Sequence, residues 1–297
     1  MKYIIDTDPG IDDAVAICLG YLNNLDIIGF TLASGNIEEE KAENNIKVIE
    51  DFLESNIPIY RSSKTNKCNH KTAEYAHGKD GLGYTIFPKN KHRKTERMPA
   101  ENFIIKSSKK YKDNLTIICF GSLTNLANVI KKDPNITKRI KHVVIMGTSY
   151  DPKIKELYHE FNIGVDPQSA KIVMETPFKD IKVITHEMGL KALIETEYMN
   201  KLENSNNIVS RFINNISKKY IDFGYEKYKI KGMCAPDPIT ISSVIDPSII
   251  TFEPCKIIVD QKEKGTCQIE LVENSNIQIA TDIDLEKFRK LFKTTFK

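Results

Sequence analysis

Short β-rich apolar runs alternate with amphipathic stretches over the first two thirds of the chain. The runs predict strands over Lys2–Asp6, Ile27–Ala33, Pro58–Tyr60, Leu115–Phe120, His142–Met146 and Ile181–Thr185. Between them, apolar positions at helical spacing predict helices over Ile11–Leu22, Glu38–Glu54, Ala100–Lys109, Leu123–Lys131 and Pro167–Met174. Thr196–Tyr228 reads as helical and Pro238–Ile245 as a second helix. The tail reads as strands at Thr251–Val259, Thr266–Leu271 and Ile277–Thr281, then a helix from Leu285. Continuous apolar strands separated by helices imply a mostly parallel central sheet covered on both faces. The expected fold class is therefore α/β. With no repeat, low-complexity tract or linker, one domain over residues 1–297 is expected.

Such sheets bind ligands beyond the carboxyl ends of their strands. Asp8, Ser34-Gly35-Asn36, Gly121-Ser122-Leu123-Thr124-Asn125 and Gly147-Thr148 all follow predicted strands, so they should meet at that edge. The densest chemistry lies at the first of these points. Asp6, Asp8, Asp12 and Asp13 fall within Asp6-Thr7-Asp8-Pro9-Gly10-Ile11-Asp12-Asp13, where a strand gives way to a tight turn and a helix. One acid there is an ordinary helix cap. Four repel one another unless a hard cation or a proton sits among them. An Asp-x-Asp phosphatase nucleophile is a competing reading, but that motif continues with Gly-Thr where this chain has Pro9-Gly10.

Composition narrows the function classes. The 43 basic and 40 acidic residues nearly cancel, which argues against a nucleic-acid surface, and Lys89–Lys94 reads as a solvated loop. The six cysteines show no metal-ligand spacing, and several lie in apolar runs, as expected for free thiols in a reducing compartment. No apolar run approaches the roughly 18 residues of a membrane span, and no signal-peptide core is present. The expectation is a cytoplasmic protein without a membrane or nucleic-acid partner.

The N-terminal run resembles the signature of the inosine-uridine preferring nucleoside hydrolase family. Ser34-Gly35-Asn36, Ala76-His77-Gly78-Lys79-Asp80-Gly81, Gly121-Ser122-Leu123-Thr124-Asn125, His159-Glu160-Phe161-Asn162 and Asp237-Pro238 follow in the same order. The resemblance implies a calcium-dependent hydrolase that cleaves the N-glycosidic bond of ribonucleosides to ribose and free base, in nucleoside salvage. It makes Asp8, Asp13, Asp237 and the Thr124 carbonyl ligands of Ca2+, and Asp12 the base that deprotonates a metal-bound water. It gives Asn36, Glu160 and Asn162 to the ribose or to orienting the ligands, and it suggests a homodimer or homotetramer. Asp6 is expected to steady the turn from behind. Glu160 and Asn162, two apart, would share a face on a strand or extended loop. Asp237 before Pro238 also suits a helix start.

Departures fall on the base-binding half. Pro236 stands where many members carry a His that helps protonate the leaving base, and the chain has no Trp on which to stack a purine. Ile154 stands where a ribose-binding Asn is usual, and Ser122 where Pro is. His77, Tyr220, Tyr225 and Tyr228 are the candidate contacts to the base, with a loop histidine and packing tyrosines as the plainer alternatives. Two other functions stay open: a non-catalytic relative that keeps a metal and ribose pocket, and a hydrolase of a modified ribosyl N-glycoside.

Overall fold

A computed structural model describes residues 1–63, 71–85, 94–150, 159–263 and 265–297. Cys68, Ile154 and all of the Lys89–Lys94 cluster but Lys94 lie outside them. The chain forms strands β1 (Lys2–Thr7), β2 (Ile27–Leu32), β3 (Ile59–Tyr60), β4 (Leu115–Cys119), β5 (His142–Met146) and β6 (Ile181–Ile184). Then follow β7 (Ile194–Glu195), β8 (Gly232–Met233), β9 (Ile250–Val259), β10 (Cys267–Leu271) and β11 (Ile277–Ile283). Nine of these make one sheet in the order β10-β9-β11-β6-β5-β4-β1-β2-β3; β7 and β8 pair separately. Within the large sheet, pairing is parallel from β11 through β3 and antiparallel where β9 meets β11 and β10. The α/β class, the single domain and the mostly parallel sheet are as the sequence implies.

Strand alternation divides the core in two. Ile5, Ile118, Val144 and Ile184 pack on one face, and Ile4, Ile117, Val143, Ile145, Ile181 and Val183 on the other. Both faces are buried, which is why these strands read as unbroken apolar runs. From β1 the chain winds outward through β2 and β3, then returns to β4 on the other side of β1 and winds away through β5 and β6. The reversal opens a crevice between the carboxyl ends of β1 and β4, where a doubly wound sheet binds its ligands.

Helices Ile11–Leu22 and Pro167–Met174 begin and end where expected. The long helical stretch is broken. Thr196–Lys201 and a short 3-10 turn precede helix Ile208–Tyr228, whose start is fixed by the Asn207 side chain accepting from Val209 N and Ser210 N. Helix Pro236–Ile245 starts two residues earlier than expected, with proline in its first turn, where the missing N–H costs nothing. Among the described residues no helix is long and apolar enough to cross a membrane.

Candidate active site

The turn after β1 is built around its acids. Asp13, in the first turn of helix Ile11–Leu22, reaches back to accept from Gly10 N at 2.9 Å and from the Thr7 hydroxyl at 2.5 Å. Asp8 accepts from Asn36 N at 2.6 Å. The Asn36 side chain donates to Asp13 Oδ2 at 3.0 Å, so the turn after β2 clamps two acids from the turn after β1. Asp8 lies against glycines because nothing else fits: a Cβ on Gly35 would sit 1.7 Å from its Oδ2, and one on Gly121 2.6 Å from its Oδ1. Asp6 faces away from this group, accepting from Thr31 and, at 2.7 Å, from Asn125.

Asp12, Asp13 and Asp237 each bring a carboxylate oxygen within 4.8 Å of the others, all buried. Asp8 stands outside that trio, close enough to repel Asp13, Asp12 and Asp237. Burial pushes all four carboxyls up, and mutual repulsion adds to it at Asp8, Asp13 and Asp237; Asp12 rises to about 6. Asp8 Oδ1 and Asp12 Oδ1 are buried with no hydrogen-bond partner. Orphaned, crowded carboxylate oxygens of this kind fit a hard divalent cation that takes oxygen ligands.

Above the acids opens a cavity of about 430 Å³. Asp12, Asn36, His77, Glu160, Asn162, Tyr220, Tyr228 and Asp237 all line it. Glu160 and Asn162 are not on a strand or extended loop. Glu160 caps the short helix Phe161–Val165, accepting from Asn162 N at 2.9 Å and Ile163 N at 2.8 Å, and its other contact is Thr148 N at 3.2 Å. Burial still pushes its carboxyl up to about 7. The Asn162 amide donates to Phe120 O at 2.6 Å and Met146 O at 3.3 Å, tying the ends of β4 and β5 together. Thr124, buried at the start of helix Thr124–Lys132, donates its hydroxyl to Asp166.

His77 Nδ1 accepts from Ile11 N at 3.1 Å, which places the imidazole proton on Nε2. Burial lowers its pKa to about 4, so the ring is neutral at ordinary pH. It stacks on Tyr220, with ring centroids 5.2 Å apart, and the Tyr220 hydroxyl donates to Asp12 Oδ2 at 3.2 Å. On helix Ile208–Tyr228 the positions 220, 223, 227 and 228 form one stripe facing the cavity. Tyr225 does not belong to it. Five residues on from Tyr220 it is turned by about 140°, half exposed, with Lys229 against its ring.

The sequence reading missed His186, Phe223, Tyr75 and Lys227, which also line the cavity. The spacing from Tyr220 could have found Phe223 and Lys227. His186 stands two residues past β6, as the strand-end rule requires, but a lone His there carries no motif.

A model of the inosine-uridine preferring nucleoside hydrolase family matches residues 3–290. The chain belongs to this family. It is similar to "Probable uridine nucleosidase 2" of Arabidopsis thaliana, at 33% identity over 84% of this chain and 79% of that one. It also resembles the inosine-uridine preferring nucleoside hydrolase of Crithidia fasciculata, at 28% identity over 97% and 94%. Among solved structures, the purine-preferring ribonucleoside hydrolase of Gardnerella vaginalis superposes with a TM-score of 0.89 at 26% identity, covering 100% of this nucleoside hydrolase and 98% of its own chain. The acids and the cavity above them are thus the candidate active site of a nucleoside hydrolase family enzyme.

Proposed function

We propose that the chain hydrolyses the N-glycosidic bond of ribonucleosides in nucleoside salvage, releasing ribose and free base. The observation that carries this reading is the buried trio Asp12, Asp13 and Asp237 at the foot of a cavity walled by polar residues and aromatic rings. Asp8, Asp13, Asp237 and the Thr124 carbonyl would hold Ca2+. Bound there, the cation would supply positive charge that acidifies water and anchors sugar hydroxyls. Asp12, at the cavity with one oxygen on Tyr220 and the other unpartnered, takes the proton of the attacking water. Asn36 orients the carboxylates, Asn36 and Glu160 meet ribose hydroxyls, and Asn162 ties the ends of β4 and β5 beside them. The carboxylates stabilise the positive charge that develops on the ribosyl ring. His77, Tyr220 and Tyr228 face the base. Tyr225 is not carried into this set.

The same reading takes residues 1–297 as one unit that works as a homodimer or homotetramer, on the family resemblance. It places the protein in the cytoplasm, supported by five described cysteines that are all buried and unpaired.

Reducing-sugar release from a panel of purine, pyrimidine and modified nucleosides, with and without chelator, tests the proposal. Turnover should require the cation and should fall by about 10²–10⁴-fold in Asp12→Ala. Turnover that survives both thorough metal removal and Asp12→Ala would overturn the mechanism. Calcium binding with no turnover of any ribosyl substrate would instead support a binding module.

A further inference from the structure

Breaking an N-glycosidic bond leaves an electron pair on a ring nitrogen, and a base departs far faster if it receives a proton. The acids at the foot of the cavity cannot give one, since Asp12 is taking a proton from water. Pro236, at the start of its helix, has no proton to give. Beside it the structure holds a pair that does. His186 Nε2 and the Tyr228 hydroxyl lie 3.3 Å apart, and both residues line the cavity that Asp12 and Asp237 open into.

Each partner is held in place. Thr185 caps the short helix that begins at His186, and the His186 backbone N–H donates to Thr148 O at 3.1 Å, anchoring the main chain that carries the ring just beyond β6. Pro236 packs on the next turn of that helix: a Cβ on Gly189 would meet Pro236 Cβ at 2.6 Å. Tyr228 ends the cavity-facing stripe of helix Ile208–Tyr228, with Phe223 edge-on to its ring at 6.1 Å. Among the described residues, the charges that act on His186 are Glu187 and Lys227. Glu187 is engaged by Ser149 and by Tyr150 N. The Lys227 ammonium lies 5.0 Å from the Tyr228 ring centroid, over its face. Beside the pair lies a small space of about 30 Å³, lined by Leu190, Cys234 and Pro236 among others.

Resting on the hydrolase reading above, we propose that Tyr228, backed by His186, is the acid that protonates the departing base. The C1′–N bond breaks with its electron pair passing to the base, which takes the proton of the Tyr228 hydroxyl. His186 Nε2–H donates to the phenolate oxygen so formed. Water adds to C1′ and gives its proton to Asp12. One water is consumed, ribose and neutral base leave, and the proton gained at Asp12 returns to Tyr228 through solvent.

The test compares leaving groups. Uridine and inosine need a proton on departure, whereas the nitrophenolate of p-nitrophenyl β-D-ribofuranoside does not. Tyr228→Phe and His186→Leu should lower kcat on the nucleosides by about 10²-fold or more while the nitrophenyl riboside changes by less than about threefold. Retained turnover of the nitrophenyl riboside also reports an intact fold. His186→Gln, which keeps an N–H donor, should recover part of the loss. Equal losses on both substrate types, or no loss on nucleosides, would overturn the proposal. So would a wild-type protein that cleaves the nitrophenyl riboside but no nucleoside. If the wild type cleaves neither, the hydrolase reading itself falls.

Discussion

The Tyr220 hydroxyl donates to Asp12 Oδ2 at 3.2 Å, joining the middle of helix Ile208–Tyr228 to the first turn of the helix after β1. That hydrogen bond favours the ionised carboxylate and opposes the burial that pushes Asp12 up to about 6. Tyr220→Phe keeps the ring stacked on His77 and removes only the hydroxyl. Asp12 should then hold its proton to higher pH, because the interaction that lowered its pKa is gone. A hydrogen bond to a charged group is worth roughly 1.5–3 kcal/mol. The acid limb of kcat/KM should move upward by about one pH unit, with activity at pH 7 lowered about twofold and activity at pH 5 lowered nearly tenfold. An unchanged limb in the pH profile would show that Tyr220 does not act on Asp12.

Cation removal should make stability depend on pH in a defined direction. The buried acids have folded pKa values raised above about 4, so their contribution is full below that pH. It is lost as pH rises through their folded values, about 6 for Asp12. Chelated protein should lose melting temperature between about pH 5 and pH 8. Saturating Ca2+ should restore it, by about 3 kcal/mol at a hundredfold excess over Kd. A shallower slope should remain in the loaded protein, because Asp6 and Glu160, each pushed up to about 7, lie outside the acid cluster. Melting curves that respond neither to Ca2+ nor to pH would contradict the cluster as a cation site.

What the sequence carried was mostly local. Helix Ile11–Leu22 was legible because Pro9-Gly10 forces a turn and Asp13 can reach back to Gly10. Strands β1, β4, β5 and β6 were legible because burial on both faces leaves no polar break. The break before Ile208 was missed although Ser205-Asn206-Asn207 is cap chemistry, since apolar spacing continues on both sides of it. Glu160 and Asn162 were placed in the site but not on a helix, because a single capping turn leaves no periodicity to read. His186 and Tyr228 are 42 residues apart and meet only through the tertiary fold, beyond the reach of any motif.

Gly35 carries a sharper consequence than its place in a turn suggests. Its ordinary backbone would accept alanine, but the added carbon would sit 1.7 Å from Asp8 Oδ2, so Asp8 must move. Gly35→Ala should therefore abolish measurable Ca2+ binding by calorimetry at concentrations that saturate the wild type. Activity should fall by about 10²-fold or more, as expected when a ligand carboxylate is displaced. Unaltered Ca2+ affinity would mean that Asp8 is not a ligand.

Asn162 separates a scaffold from a substrate contact. Its amide holds Phe120 O and Met146 O, the carbonyls that end β4 and β5, both buried. Asn162→Ala strands two buried acceptors, at about 1–3 kcal/mol. The melting temperature should fall by several degrees, about 2–4 °C per kcal/mol in a chain of this size class. Loosened strand ends should also let Glu160 drift from its three backbone donors, so kcat should fall with KM. Asn162→Asp should do worse than alanine, because a carboxylate facing two carbonyls adds repulsion to the lost bonds. If instead KM alone rises and stability is untouched, Asn162 meets the ribose directly and the tie between the strands is incidental.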